Sequence, residues 1–258
     1  MIPDAFYVPD GDRFRGTEHT RGPWSADHQH GGPPSALLAR AFEHLVADAG
    51  MEVVRVTVDL LSPVPIAPLQ ITAAITRAGR KVQRLDGTLA ADGKIVCRAT
   101  GLAIQVAHTE DTNPPEPLDL PVPEASTPFV FPFFPKGVSY AAAVEQRLAR
   151  GVWGKGDAAL WMRTRIPLIP RETPSPLQRV MIAADSGSGV AVVVDAMQST
   201  FINADVDVAL HRPPAGDWVC VDARTTLGAH GIGLTTSRLL DERGAIGLAH
   251  QSLVITPR

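Results

Sequence analysis

The 258-residue sequence holds only two cysteines, Cys97 and Cys220. Two thiols make no disulfide framework, and neither sits at a metal-ligand spacing. Both fall in strand-like runs, where buried free thiols are expected. No apolar run is long enough to span a bilayer. Residues 1–12 carry acids and no basic region leading into an apolar stretch, so no signal peptide is expected and the expected compartment is cytoplasmic. The net charge is −3 and no basic block exceeds a few residues, which excludes nucleic-acid binding through a basic stripe. Dinucleotide-binding glycine patterns, phosphate-loop lysines and the Gly-x-Ser-x-Gly elbow are missing; the nearest string is Asp185-Ser186-Gly187-Ser188-Gly189. No His-Glu-x-x-His pair or carboxylate cluster points to a metal.

Hydrophobic residues make up 45% and charged residues 20%, a composition that buries a core rather than staying disordered. The chain reads as a distant repeat of a helix followed by a meander. In the first half, loop-like residues run to His28, then a helix over 33–49 and strands over 53–61, 69–77, 81–91 and 94–107. In the second half the pattern predicts a strand over 158–166, a helix over 176–184, and strands over 190–198, 201–211, 218–227, 232–241 and 245–255. The closing hairpins match best: Asp92-Gly93 and Arg243-Gly244 each turn between alternating strands. Between the halves, Asn113-Pro114-Pro115-Glu116-Pro117, Pro121 and Pro123 mark a surface linker. The expected division is 1–107, a proline-rich linker 108–128, and 129–258. The apolar stretch from Phe129 to Pro135 is open to three readings: a cover for an open face, a partner interface, or a strand lead-in. Residues 36–46 are apolar on most of a helical circumference, so that helix is expected to be buried nearly all round. Val54, Val56, Val58 and Leu60 alternate with polar residues, giving a sheet with one face on a core.

Polar residues set among these apolar elements are the candidates for chemistry. His30-Gly31-Gly32-Pro33-Pro34 precedes the first helix, where free amides favour an anion or a developing oxyanion and glycines allow close approach. Asp185 closes the second helix, an end that disfavours negative charge, so it is either solvated or held for a purpose. Asn203, Asp205 and Asp207 share one face if their strand is regular. His250-Gln251-Ser252 interrupts an apolar ending. Each motif also has a bland reading: a plain helix start, a loop aspartate, a solvated strand face.

Together, in this order, these residues resemble the TesB-like acyl-CoA thioesterases over nearly the full length. The resemblance implies an α+β double hot-dog, two fused units each with a central helix wrapped by an antiparallel β-sheet. It implies one site, in the second unit at its junction with the first. There Asp185, Asn203 (where the family commonly has Thr or Ser) and Gln251 hold a water that attacks the thioester. Gly31 and Gly32 are then oxyanion candidates, with His30 and Asp205 in supporting or reserve roles. CoA enters as part of the substrate, not as a retained cofactor, and Arg80, Arg163 and Arg212 are candidates for its phosphates. The rival readings are a hot-dog hydratase or dehydratase, with His30 approaching Asp185 in space, and a non-catalytic acyl-CoA binding protein. Broad outer sheet faces leave room for a homo-oligomer.

Overall fold

Both helices that the apolar runs predict are present, and each is wrapped by antiparallel strands. The computed structural model describes residues 4–110, 116–196 and 198–257. The first half runs β1 (Tyr7–Asp10), β2 (Arg13–Gly16), α1 (Gly32–Val46), β3 (Met51–Leu60), β4 (Pro68–Arg77), β5 (Val82–Ala91) and β6 (Lys94–Gln105). The second runs β7 (Thr127–Phe129), α2 (Tyr140–Ala143), β8 (Val144–Gly151), β9 (Asp157–Thr164), α3 (Pro176–Ala184), α4 (Gly187–Val190), β10 (Ser199–Asn203), β11 (Asp205–Leu210), β12 (Val219–Leu227), β13 (Ile232–Asp241) and β14 (Gly244–Pro257). This is an α+β double hot-dog.

One sheet joins the halves, in the order β1-β2-β4-β5-β6-β3-β11-β14-β13-β12-β9-β8-β7, with β10 also pairing β14. The seam is the antiparallel pair β3–β11, where Val58 faces Val206 and Val56 faces Val208, all four fully buried. Inside the sheet α1 packs on α3. The opening of α1, from Gly32 to Ala39, is buried all round. Pro33 and Pro34 sit in its first turn, where an amide hydrogen is not needed. Ser175 caps α3 by accepting from the Gln178 N–H at 3.1 Å, with Pro176 following. Arg40 clamps Glu172 with two bonds of 2.7 and 2.8 Å, fixing the first helix to the lead-in of the second. No helix among the described residues is long and apolar enough to cross a membrane.

Three expectations need correction. Val190 closes α4, and none of the described residues from 191 to 198 is in a strand. The Val-rich run lies beyond α4 as a loop, and Val192 and Ala196 pack against Phe201 instead of joining the sheet. The N-terminal residues are not all loop: β1 and β2 form a hairpin that extends the sheet beyond β4. The strand over 201–211 is broken at Ala204. Asn203 stands opposite Leu253 and Asp207 opposite His250, so one extra residue on this side makes a bulge and reverses the alternation.

Of the linker, Asn113-Pro114-Pro115 lies outside the described residues. The following stretch crosses the outer face of the second half. Leu120 is buried with Trp161 and Trp218, the Trp161 Nε1–H donates to the Pro121 carbonyl at 2.7 Å, and Arg238 binds Glu116 and Asp119.

Candidate active site

Asp185 is the C-cap of α3 and is 3% exposed. A carboxylate at a helix end faces partial negative charge, and burial adds a desolvation penalty. The chain offsets both by aiming the N-terminus of α1 at it. A β-carbon on Gly31 would come within 2.8 and 2.9 Å of the Asp185 oxygens, so only glycine lets the first turn of α1 approach this closely. Gly32 is equally constrained, since a β-carbon there would meet the Ile182 carbonyl oxygen at 2.4 Å.

Side chains from both halves complete the cage. His30 Nδ1 lies 3.0 Å from Asp185 Oδ2, and Asn203 Nδ2 donates to Oδ1 at 2.8 Å and to the Asp185 backbone carbonyl at 2.9 Å. His30 Nδ1 also lies 3.1 Å from the Gly32 amide nitrogen. Assigning the ring proton to Nδ1, toward the carboxylate, turns the Gly32 N–H to Asp185 as well. Burial pushes the Asp185 carboxyl up; His30, Asn203 and the Gly32 N–H outweigh it and hold it below its ordinary 3.8. Asp185 is therefore ionised at neutral pH. The His30 ring is fixed by stacking on Tyr140 at 3.8 Å between centroids, and the Tyr140 hydroxyl donates to the Ile182 carbonyl at 2.7 Å. Burial pushes the Tyr140 hydroxyl well above its ordinary value and the Cys97 thiol up to about 12, so neither ionises near neutrality.

Gln251 faces the core of β14 and is 1% exposed. Its Nε2 donates to the Asp185 carbonyl at 2.8 Å, and its Oε1 accepts from the Ser188 N–H at 3.0 Å. It braces the turn between α3 and α4 and does not line the cavity described below. Gly187 makes room for it: a β-carbon there would lie 2.6 Å from Gln251 Oε1 and 2.9 Å from Ser237 Oγ. Gly187→Ala should therefore cost about 1–3 kcal/mol, read as a fall in Tm, and should lower turnover by displacing the Asp185 turn.

An apolar cavity of about 280 Å³ ends on this cage. Leu60, Pro63 and Val64 of the first half and Phe131, Phe133 and Phe201 of the second line it, with Asp185, Asn203, Ser188 and His30 as its polar end. The stretch from Phe129 to Pro135 thus supplies a cavity wall. Ser188 is the residue that sequence reasoning missed; its hydroxyl donates to Asn203 Oδ1 at 2.8 Å. The signal was available in the Ser186-Gly187-Ser188-Gly189 string, but nothing local says that it folds back as a buried helical turn.

The remaining candidates lie elsewhere. Asp205 is turned to the opposite face by the bulge at Ala204, and its Oδ1 accepts from the Ser252 N–H at 2.6 Å. Asp207 sits on that same outer face beside Thr57 and His250. Arg212 is committed to buried Asp241, with Nη2 2.7 Å from Oδ1. Arg163 binds Glu145 at 2.7 Å and lies over the Trp218 ring.

Residues 20–105 match the family model for the acyl-CoA thioesterase N-terminal domain, and residues 113–255 match that for the acyl-CoA thioesterase C-terminal domain. The chain belongs to the hot-dog acyl-CoA thioesterase superfamily. Among solved structures it is similar to a putative thioesterase from Novosphingobium aromaticivorans, at 19% identity and a TM-score of 0.76, covering 96% of this chain and 98% of that one. A hot-dog protein from Alicyclobacillus acidocaldarius is 18% identical with a TM-score of 0.76, over 97% and 95% of the two chains. A TesB protein from Mycobacterium avium subspecies paratuberculosis is 19% identical with a TM-score of 0.70, over 97% and 96%. These likenesses establish the fold. No curated protein matches the chain.

In this acyl-CoA thioesterase family member the two halves are not equivalent. Gly87 pairs with Ala99 and Leu85 with Gly101, just as Ser237 pairs with Ala249 and Thr235 with Gln251. Gly101 therefore stands where Gln251 stands, and Gly87 where Ser237 stands. The space freed by the two glycines is filled by the ring of Phe42: a β-carbon on Gly101 would lie 2.8 Å from it, and one on Gly87 2.9 Å. The first half has a packed ring where the second has its polar brace.

Proposed function

We propose that the chain hydrolyses acyl-CoA thioesters to a free acid and CoA, as a TesB-like thioesterase, with Asp185 as the general base. The observation that carries this is a buried carboxylate, bonded by side chains of both halves, on the wall of an apolar cavity. A water beside Asp185 gives its proton to the carboxylate as its oxygen attacks the thioester carbon. The carbonyl becomes an oxyanion. The Gly31 N–H has no partner among the described residues and Gly31 lines the cavity, so it is the better donor to that charge; the Gly32 N–H is engaged by Asp185. Collapse breaks the C–S bond, and the proton on Asp185 passes to the departing thiolate. Asn203 and Ser188 orient the water and the carboxylate, and an amide at 203 accepts and donates as a hydroxyl would. Gln251 is a positioning residue that holds the Asp185 backbone.

Release of free thiol from an acyl-CoA panel tests the reading; no release at any chain length would overturn it. The His30–Asp185 contact of 3.0 Å favours one second reading, hydration of a 2-enoyl-CoA by an acid–base pair. Hydration leaves the thioester intact, so the same assay separates the two.

The depressed carboxyl fixes the sign of the pH dependence. A group whose pKa is lowered on folding contributes stability above its unfolded value and loses it as pH falls through the folded value. The active form of Asp185 follows the same direction. The kcat/KM profile should stay level on the acid side until below 3.8, provided the fold is checked at each pH. An acid limb centred near 6 would contradict the assignment.

A further inference from the structure

The cavity also limits what the acyl group can be. Aromatic rings form much of its wall. Phe133 lies between two tryptophans, stacked on Trp24 at 5.9 Å and 15° and on Trp153 at 6.0 Å and 18°. Phe201 meets Trp24 edge-on at 4.9 Å and 88° and Phe133 at 5.4 Å and 74°. These pairings are the offset and edge-to-face geometries that rings prefer, so this wall is a packed cluster.

The ring-lined wall suits an acyl chain and not the pantetheine arm of CoA. That arm carries two amides, and leaving a buried amide without a partner costs about 1–3 kcal/mol. Rings offer few such partners. Ser25, His28 and Ser62, also on the lining, supply them. An apolar cavity of about 150 Å³ takes one benzene ring, so on that scale a cavity of about 280 Å³ takes roughly eleven non-hydrogen atoms, about three of which are the thioester oxygen, its sulfur and the attacking water.

We infer that this site selects compact acyl groups, roughly eight carbons or fewer and ring-bearing ones included, and that Trp24 and Phe133 set the limit. A palmitoyl chain would have to part the ring stack. The inference rests on the proposed hydrolysis, and its test keeps the two apart.

The experiment compares kcat/KM by thiol release for acetyl-, hexanoyl-, octanoyl-, phenylacetyl- and palmitoyl-CoA in the wild type, Phe133→Ala and Trp24→Ala. In parallel, binding of the same compounds to Asp185→Asn is followed by tryptophan fluorescence. Both cavity residues are only half-buried, and circular dichroism is to check that each variant folds. The wild type should prefer octanoyl or a smaller group over palmitoyl by at least tenfold, and either ring deletion should move the optimum to longer chains. A wild-type rate that is flat or greatest for palmitoyl overturns the size limit. An optimum unmoved in both folded variants overturns the role of the rings. If nothing is hydrolysed but binding still falls off beyond eight carbons, hydrolysis is wrong and the size limit stands.

Discussion

Replacing Asp185 with asparagine should lower kcat for thioester cleavage by about 1,000-fold, within the range that a positioned general base supplies. Asparagine keeps the shape and cannot take the proton. It also leaves an amide where His30 Nδ1 and Asn203 Nδ2 both donate to a carboxylate, so one donor loses its acceptor and Tm should fall. Rates must therefore be read well below the transition. Asn203→Ala keeps the carboxylate and removes one donor, so it should cost less, about 10- to 100-fold, with a raised acid limb as Asp185 titrates closer to its ordinary value. Near-wild-type thiol release from Asp185→Asn, or a larger loss from Asn203→Ala, would remove Asp185 from the role of base.

Arg212→Ala should produce the largest loss of stability, and turnover per folded molecule should hardly change. Its guanidinium spans both oxygens of Asp241, whose side chain is fully buried and also accepts from the Ala215 and Arg243 amides at 2.8 Å each. Removing one partner of a buried pair leaves an uncompensated charge and costs about 3–5 kcal/mol. The two remaining amides put this case at the lower end, roughly a 10 °C fall in Tm at this chain length. Burial pushes the Asp241 carboxyl up, and Arg212 with the two amides pulls it below its ordinary value. Its stabilisation is therefore lost as pH falls, and without Arg212 that loss should begin at a higher pH. Thermal melts across pH for both proteins check the magnitude and the sign. A fall in CoA affinity with Tm unchanged would instead restore Arg212 as a phosphate contact.

What was legible in the sequence follows from which forces act locally. The helices at 32–46 and 176–184 are visible because apolar residues, prolines and caps all agree. Asp185, His30 and Asn203 stand out as polar groups among apolar neighbours, and the fold brings all three within hydrogen-bond reach. The bulge at Ala204 is invisible because register belongs to a pair of strands, and a one-residue shift turns every later side chain over. That reversal turns Asp205 toward Ser252 instead. Gln251 was visible as an anomaly, but its partners, the Asp185 carbonyl and the Ser188 amide, are backbone groups that no side-chain pattern reveals. Residues 190–198 read as a strand on β-branched composition. Strand propensity expresses packing on a sheet, and this run meets an aromatic cluster instead.

The ring of Phe42, wedged between Gly87 and Gly101, has a consequence for stoichiometry. A tight inhibitor should titrate one equivalent per polypeptide despite the doubled architecture. With one proposed reaction centre per chain, saturation should follow a simple hyperbola. Substitutions around Phe42 should then answer to folding, while turnover constrains the cage around Asp185, to which the first half lends His30 and the start of α1.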